Sequence, residues 1–116
     1  VPRKAMAEVV NRIQDIGKKY GLRIGTFGHA GDGNLHPTIV LDKDNKDEVR
    51  AAEAALAEIF ALPREFGGSI TGEHGVGSAK LPYLEDLIGS TNMQLQRSIK
   101  KVFDPAGILN PGRIGS

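Results

Sequence analysis

The chain has 116 residues, no cysteine, and a net charge of +1 from 15 basic and 14 acidic side chains. Its length suits one domain, and 40% hydrophobic with 25% charged residues exclude a wholly disordered chain. The balanced charge makes no case for nucleic acid or an acidic membrane surface, and the lack of cysteine excludes a disulfide scaffold, an iron–sulfur cluster and a Cys-type zinc finger.

Met6, Val9, Val10, Ile13, Ile16 and Tyr20 recur at three- and four-residue steps. They predict one face of an amphipathic helix over 3–20, closed by Gly21. Strands are expected over 23–28 and 35–41, then a polar turn at Asp42-Lys43-Asp44-Asn45. Val49, Ala52, Leu56, Ile59 and Phe60 mark a second helix from about 46. Pro63 should kink that helix or end its regular hydrogen bonding, with Gly67-Gly68 as the final stop. A short strand is expected at 69–71 and a helical turn over 82–88. A third long helix, capped by Ser90 or Thr91, should turn Leu95, Ile99, Val102 and Phe103 inward. Asp104-Pro105 ends it.

The order is helix, strand, strand, helix, strand, helix. One strand placed before Val1 completes β-α-β-β-α-β. The fold class is therefore α+β, a ferredoxin-like antiparallel sheet with helices on one face, lacking its first strand. The start Val1-Pro2-Arg3, without Met or a charged-then-apolar leader, points to a piece of a longer protein. The longest apolar stretch, 54–62, is broken by Glu58 and is far too short to span a bilayer.

All three histidines, His29, His36 and His74, lie in glycine-rich segments, GHAGDGNLHP (28–37) and GEHGVG (72–77). Asp32-Gly33 is a signal for a two-residue type I′ hairpin turn. With those two residues at its centre, Gly31 pairs with Asn34, Ala30 with Leu35 and His29 with His36. Directly opposed residues share a face, so the two imidazoles could grip one metal ion. Leu35, Ile39 and Leu41 then face the helices, and His36 and Thr38 the open side; Val40 also falls there. Glu73 would complete a His2Glu set, which in zinc enzymes leaves a position for water or substrate. Gly72 and Gly75 permit the bend that separates Glu73 from a substrate-facing His74. The alternatives are plain polar hairpin residues, a surface ion pair at Glu73 and a solvated loop at His74.

Other patterns fail. Asp42, Asp44 and Glu53 occupy calcium-loop positions, but Lys46 and Asp47 spoil the loop. Neither glycine-rich segment is a dinucleotide fingerprint. Lys100-Lys101 reads as complementing a helix dipole.

Three segments, GHAGDGNLHP (28–37), GEHGVG (72–77) and FDPAGILNPG (103–112), together resemble the signatures of FAD-linked oxidases. This family contains the FAD-linked subunit of glycolate oxidase, D-lactate dehydrogenases and D-2-hydroxyglutarate dehydrogenase. The resemblance covers nearly the whole chain. It implies a C-terminal fragment, 1–116, comprising the cap domain with a terminal helix and tail, and an FAD-binding domain that lies elsewhere. It implies that His29, His36 and Glu73 are metal ligands, that His74 is the catalytic base and that Thr38 touches substrate. Pro63 departs from the helix-friendly residues expected there.

The implied activity is oxidation of a small D-2-hydroxy acid, of glycolate or D-lactate type, to the 2-oxo acid. FAD and a divalent metal are the implied cofactors. Zinc is the first choice for a His2Glu set, while iron, manganese and cobalt have overlapping ligand sets. Expected partners are the hydroxy acid, the FAD domain of the full-length chain and further oxidase subunits. The expected location is cytoplasmic, reaching the membrane only through partner subunits, and the fragment alone is expected to self-associate without activity. The rival is a self-contained metal-binding module, either a hydrolase or a non-catalytic partner domain.

Overall fold

The computed structural model describes residues 1–114. A 3-10 turn, Arg3–Ala5, leads into α1 (Met6–Tyr20). Then follow β1 (Arg23–His29), β2 (Asn34–Val40), α2 (Lys46–Glu65), α3 (Leu81–Ile88) and α4 (Ser90–Phe103). The chain divides into two compact units, Val1–Ser69 and Ile70–Ser116. The class is α+β with a two-stranded antiparallel sheet among the described residues, consistent with a ferredoxin-like domain lacking a strand.

The first unit is held by the faces that the periodicity picks out. Val9, Ile13 and Ile16 of α1 meet Ala55, Ile59 and Leu62 of α2 in one buried cluster, with Ile13 only 2% exposed. Ile24, Leu35 and Ile39 pack against that cluster from the sheet. Both helices therefore cover one face of the hairpin, as the strand alternation requires. Outside the core, Arg12 forms a two-pronged ion pair with Glu65 at 2.9 and 3.0 Å, and Lys19 pairs with Glu58. These join α1 to α2 at exposed positions, where ion pairs add little.

The rejected calcium loop is a capping device. Asn45 Oδ1 accepts from the backbone N–H groups of Asp47 and Glu48 at the start of α2. A Glu48 carboxylate oxygen accepts from the Asp42 N–H at 2.7 Å, and Asp42 Oδ1 accepts from the Asp44 N–H at 3.0 Å.

At Pro63 the expectation of an interruption needs correction, because α2 continues to Glu65. Proline removes one intrahelical donor, but the following turn is tied down twice. The Gly68 N–H donates to the Pro63 carbonyl at 2.6 Å, and the Gly67 N–H to the Arg64 carbonyl at 3.3 Å. This is the Schellman pattern of helix closure. Leu62 is buried and Phe66 packs on the core, so the last turn is also held by apolar contact.

After α2 three expectations change. Residues 69–71 form no strand: among the described residues the sheet consists of β1 and β2. Gly89, rather than Ser90 or Thr91, occupies the cap position before α4. The apolar stripe of α4 does not point inward: Leu95, Ile99, Val102 and Phe103 are 59%, 51%, 77% and 81% exposed, and Met93 is the buried residue instead. Periodicity reveals that a helix has an apolar face; whether that face is covered is a tertiary matter.

Lys100 also has a more specific task than dipole complementation. Its Nζ donates to Asp104 Oδ2 at 2.7 Å. The same carboxylate accepts from the Ile108 and Leu109 N–H groups at 3.1 and 3.0 Å. The Lys100 bond comes first among the causes that hold the Asp104 carboxyl below the ordinary aspartate range, followed by the two backbone donors, with burial opposing. Asp104 thus fixes the turn that carries the chain out of α4.

Candidate metal centre

The β1–β2 hairpin carries two of the three predicted ligands, and its register differs from the expected one. Phe27 stands opposite His36, Gly28 opposite Leu35 and His29 opposite Asn34. The loop is therefore four residues, 30–33, instead of two. Its first turn is closed by the Asp32 N–H donating to the His29 carbonyl at 3.0 Å, and Gly33 ends it with φ +71°. Gly33 is buried, its carbonyl accepts from the Val1 nitrogen at 2.8 Å, and the Val1 backbone fills the space a side chain there would need. A residue so enclosed cannot stand at the exposed tip of a two-residue turn.

The slip amounts to two residues, which preserves the face. His29 and His36 become diagonal neighbours on the open side of the sheet. Their ring centroids lie 5.7 Å apart with planes at 81°. Each offers a ring nitrogen within 4.8 Å of the other's. Two imidazoles on a tetrahedral zinc, at about 2.1 Å each, have nitrogens roughly 3.4 Å apart. The pair lies on one face at a separation bounded by 4.8 Å, and its donor chemistry fits a divalent ion.

Gly28 makes this arrangement possible. A Cβ there would overlap the Asn34 carbonyl oxygen and lie 3.0 Å from both the Asn34 carbonyl carbon and Leu35 Cα. The strands could not approach so closely with any side chain at this position. Thr38 shares the histidines' face, is exposed, and stands opposite Gly25, which leaves the space above it open.

Sequence reasoning passed over Phe27. Its ring stacks on His36 with centroids 5.1 Å apart and planes at 24°. The available signal was strand alternation, which puts Phe27 on the same face as His29.

Glu73 and His74 belong to the second unit. Both are exposed, in an irregular segment between Gly72 and Gly75, and Gly75 has φ +78°. A shallow cavity of about 350 Å³ in that unit is lined by Lys100, Phe103, Asp104, Leu109 and Arg113 among others. It contains none of the predicted site residues, and its carboxylate is already engaged by Lys100 and the backbone.

Comparison with known proteins identifies the family. The model described as "FAD linked oxidases, C-terminal domain" matches residues 1–114. The chain belongs to this family. It is 53% identical over 114 residues to the glycolate oxidase subunit GlcD of Bacillus subtilis, covering 98% of this chain and 24% of that protein. It is 38% identical over 115 residues to a D-lactate dehydrogenase of Anaerostipes hadrus, again 98% of this chain and 24% of the relative. The GlcD subunit of Escherichia coli K12 is 39% identical over 113 residues, 97% of this chain and 23% of that protein. This FAD-linked oxidase domain thus spans about a quarter of the length of these relatives. Among the described residues, no helix is long and apolar enough to cross a membrane.

Proposed function

We propose that this domain supplies the substrate- and metal-binding part of a flavin-dependent oxidoreductase. Its substrate is a small D-2-hydroxy acid of glycolate or D-lactate type, and the product is the 2-oxo acid. The observation that carries this reading is the histidine pair, His29 and His36, on the open face of a hairpin whose sequence matches the FAD-linked oxidase family throughout. The names of the relatives supply the substrate class. A self-contained metal module is not favoured, because the match is to one domain of much longer oxidases.

His29, His36 and Glu73 hold a divalent ion in this reading. Two imidazoles and a carboxylate are a zinc-type donor set that leaves a coordination position open. When bound, the ion supplies Lewis-acid polarisation and a template for substrate oxygens, and FAD, held outside this domain, supplies the redox chemistry. His74 takes the substrate hydroxyl proton onto an imidazole nitrogen as general base. Bound FAD would be the acceptor for the C2 hydrogen as hydride, which with the proton held on His74 accounts for the two-electron oxidation of the alcohol to the carbonyl. The exposed Thr38 hydroxyl, with nothing but Gly25 opposite, donates to the substrate carboxylate.

The test separates ligand from base in the full-length oxidase. His36→Ala should lose both metal and turnover. His74→Ala should lower turnover by at least a hundredfold, the ordinary contribution of general-base catalysis, and keep its metal. Equal loss of metal in both variants would remove the support for His74 as base.

A further inference from the structure

We infer that Phe27 is a positioning residue, its ring holding the His36 imidazole in the plane from which it reaches the metal. The inference rests on His36 being a metal ligand. Phe27 is 66% exposed, so burial gives little reason for a large aromatic there. A smaller β-former would serve the strand equally well. What the ring provides is a specific contact. Phe27 directly opposes His36 in the ladder, and the rings stack at 5.1 Å with planes 24° apart. The His29 ring makes a second, T-shaped contact with His36, at 5.7 Å and 81°. Phe27 lies directly across from His36 and His29 diagonally across, two residues further along β1, so both rings reach His36 from the same strand.

A histidine needs such help. Its terminal torsion is broad and roughly two-fold, so nothing intrinsic fixes which ring nitrogen points where. A ligand free to turn must lose that freedom on binding, and a ligand already held loses less. The Phe27 face restricts the His36 ring to one plane, and the register then directs its edge toward His29. An aromatic pair of this geometry should change metal affinity by about three- to tenfold.

The experiment uses the full-length oxidase stripped of metal, in four forms: wild type, Phe27→Leu, Phe27→Tyr and His36→Ala. Zinc affinity is read by competition with a chromogenic chelator. Coordination geometry is read from the electron paramagnetic resonance spectrum of the cobalt(II) form, which oxidised flavin does not obscure. Phe27→Leu should bind zinc about three- to tenfold more weakly and show an altered cobalt spectrum, with the melting temperature of the metal-free protein unchanged. Phe27→Tyr, which keeps the ring, should match wild type in all three. Wild-type affinity and spectrum in Phe27→Leu, alongside lost binding in His36→Ala, would overturn the role of Phe27 alone. Wild-type zinc binding in His36→Ala would overturn the metal reading beneath it. A lowered metal-free melting temperature in Phe27→Leu would make Phe27 a structural residue and also overturn the inference.

Discussion

Adding one methyl group to β1 should have opposite consequences three residues apart. At Gly28 the new Cβ overlaps the Asn34 carbonyl oxygen and crowds Leu35 Cα, all backbone atoms that cannot swing aside. The strands must separate there. Two ladder hydrogen bonds lost at about 1 kcal/mol each, and Leu35 loosened from the core it packs against for up to about 2 kcal/mol, give a loss of about 2–4 kcal/mol for Gly28→Ala. At Gly25, on the other face, a Cβ meets nothing within 4 Å. Gly25→Ala should be neutral, or stabilising by up to about 1 kcal/mol through the unfolded chain. Urea unfolding of both variants at one protein concentration compares them, with zinc affinity measured in parallel. Gly28→Ala should lower the midpoint and weaken zinc together, because His29 and His36 flank the disrupted pairs. Equal midpoints for the two variants would refute the register on which the metal pair depends.

Asp104 should govern an acid limb of stability. Its carboxyl is held below the ordinary aspartate value chiefly by Lys100, so its contribution is complete above the unfolded value and lost as pH falls through the folded one. Asp104→Asn should therefore be less stable than wild type at neutral pH, with the gap closing in strong acid; a gap independent of pH in urea titrations would contradict this. The 116-residue chain alone should self-associate, because α4 exposes Ile99, Val102 and Phe103 and, among the described residues, the sheet ends at β1 and β2 with no third strand. A clean monomer in sedimentation at high concentration would refute that. The same chain should purify colourless and oxidise no 2-hydroxy acid, and a flavin absorption spectrum would contradict it.

Local chemistry made most of the first unit legible. The apolar spacing of α1 and α2 named the residues that form the core, and alternation in β2 placed Leu35 and Ile39 inward and His36 outward. The register was misread because Asp32-Gly33 fits two hairpin geometries. The enclosure of Gly33 by Val1, a contact across 32 residues, decides between them. The error did not disturb the site, since an even slip keeps every side chain on its face. Pro63 misled for a similar reason: its local cost was legible, but the Gly67 and Gly68 bonds and the anchorage of Leu62 and Phe66 were not. The strand at 69–71 and the inward face of α4 required partners that periodicity cannot supply. The Lys100–Asp104 bond was within reach, because the two residues are one helical turn apart at a helix end.

The central claim is that His29, His36 and Glu73 hold a divalent ion that the reaction needs. Elemental analysis of the full-length oxidase, before and after exhaustive chelation and with turnover followed in the same samples, tests it most directly. The account predicts about one zinc-class ion per chain, loss of turnover in step with loss of metal, and recovery when the ion is restored to wild type but not to His36→Ala. Full turnover in protein shown to contain no metal would contradict it.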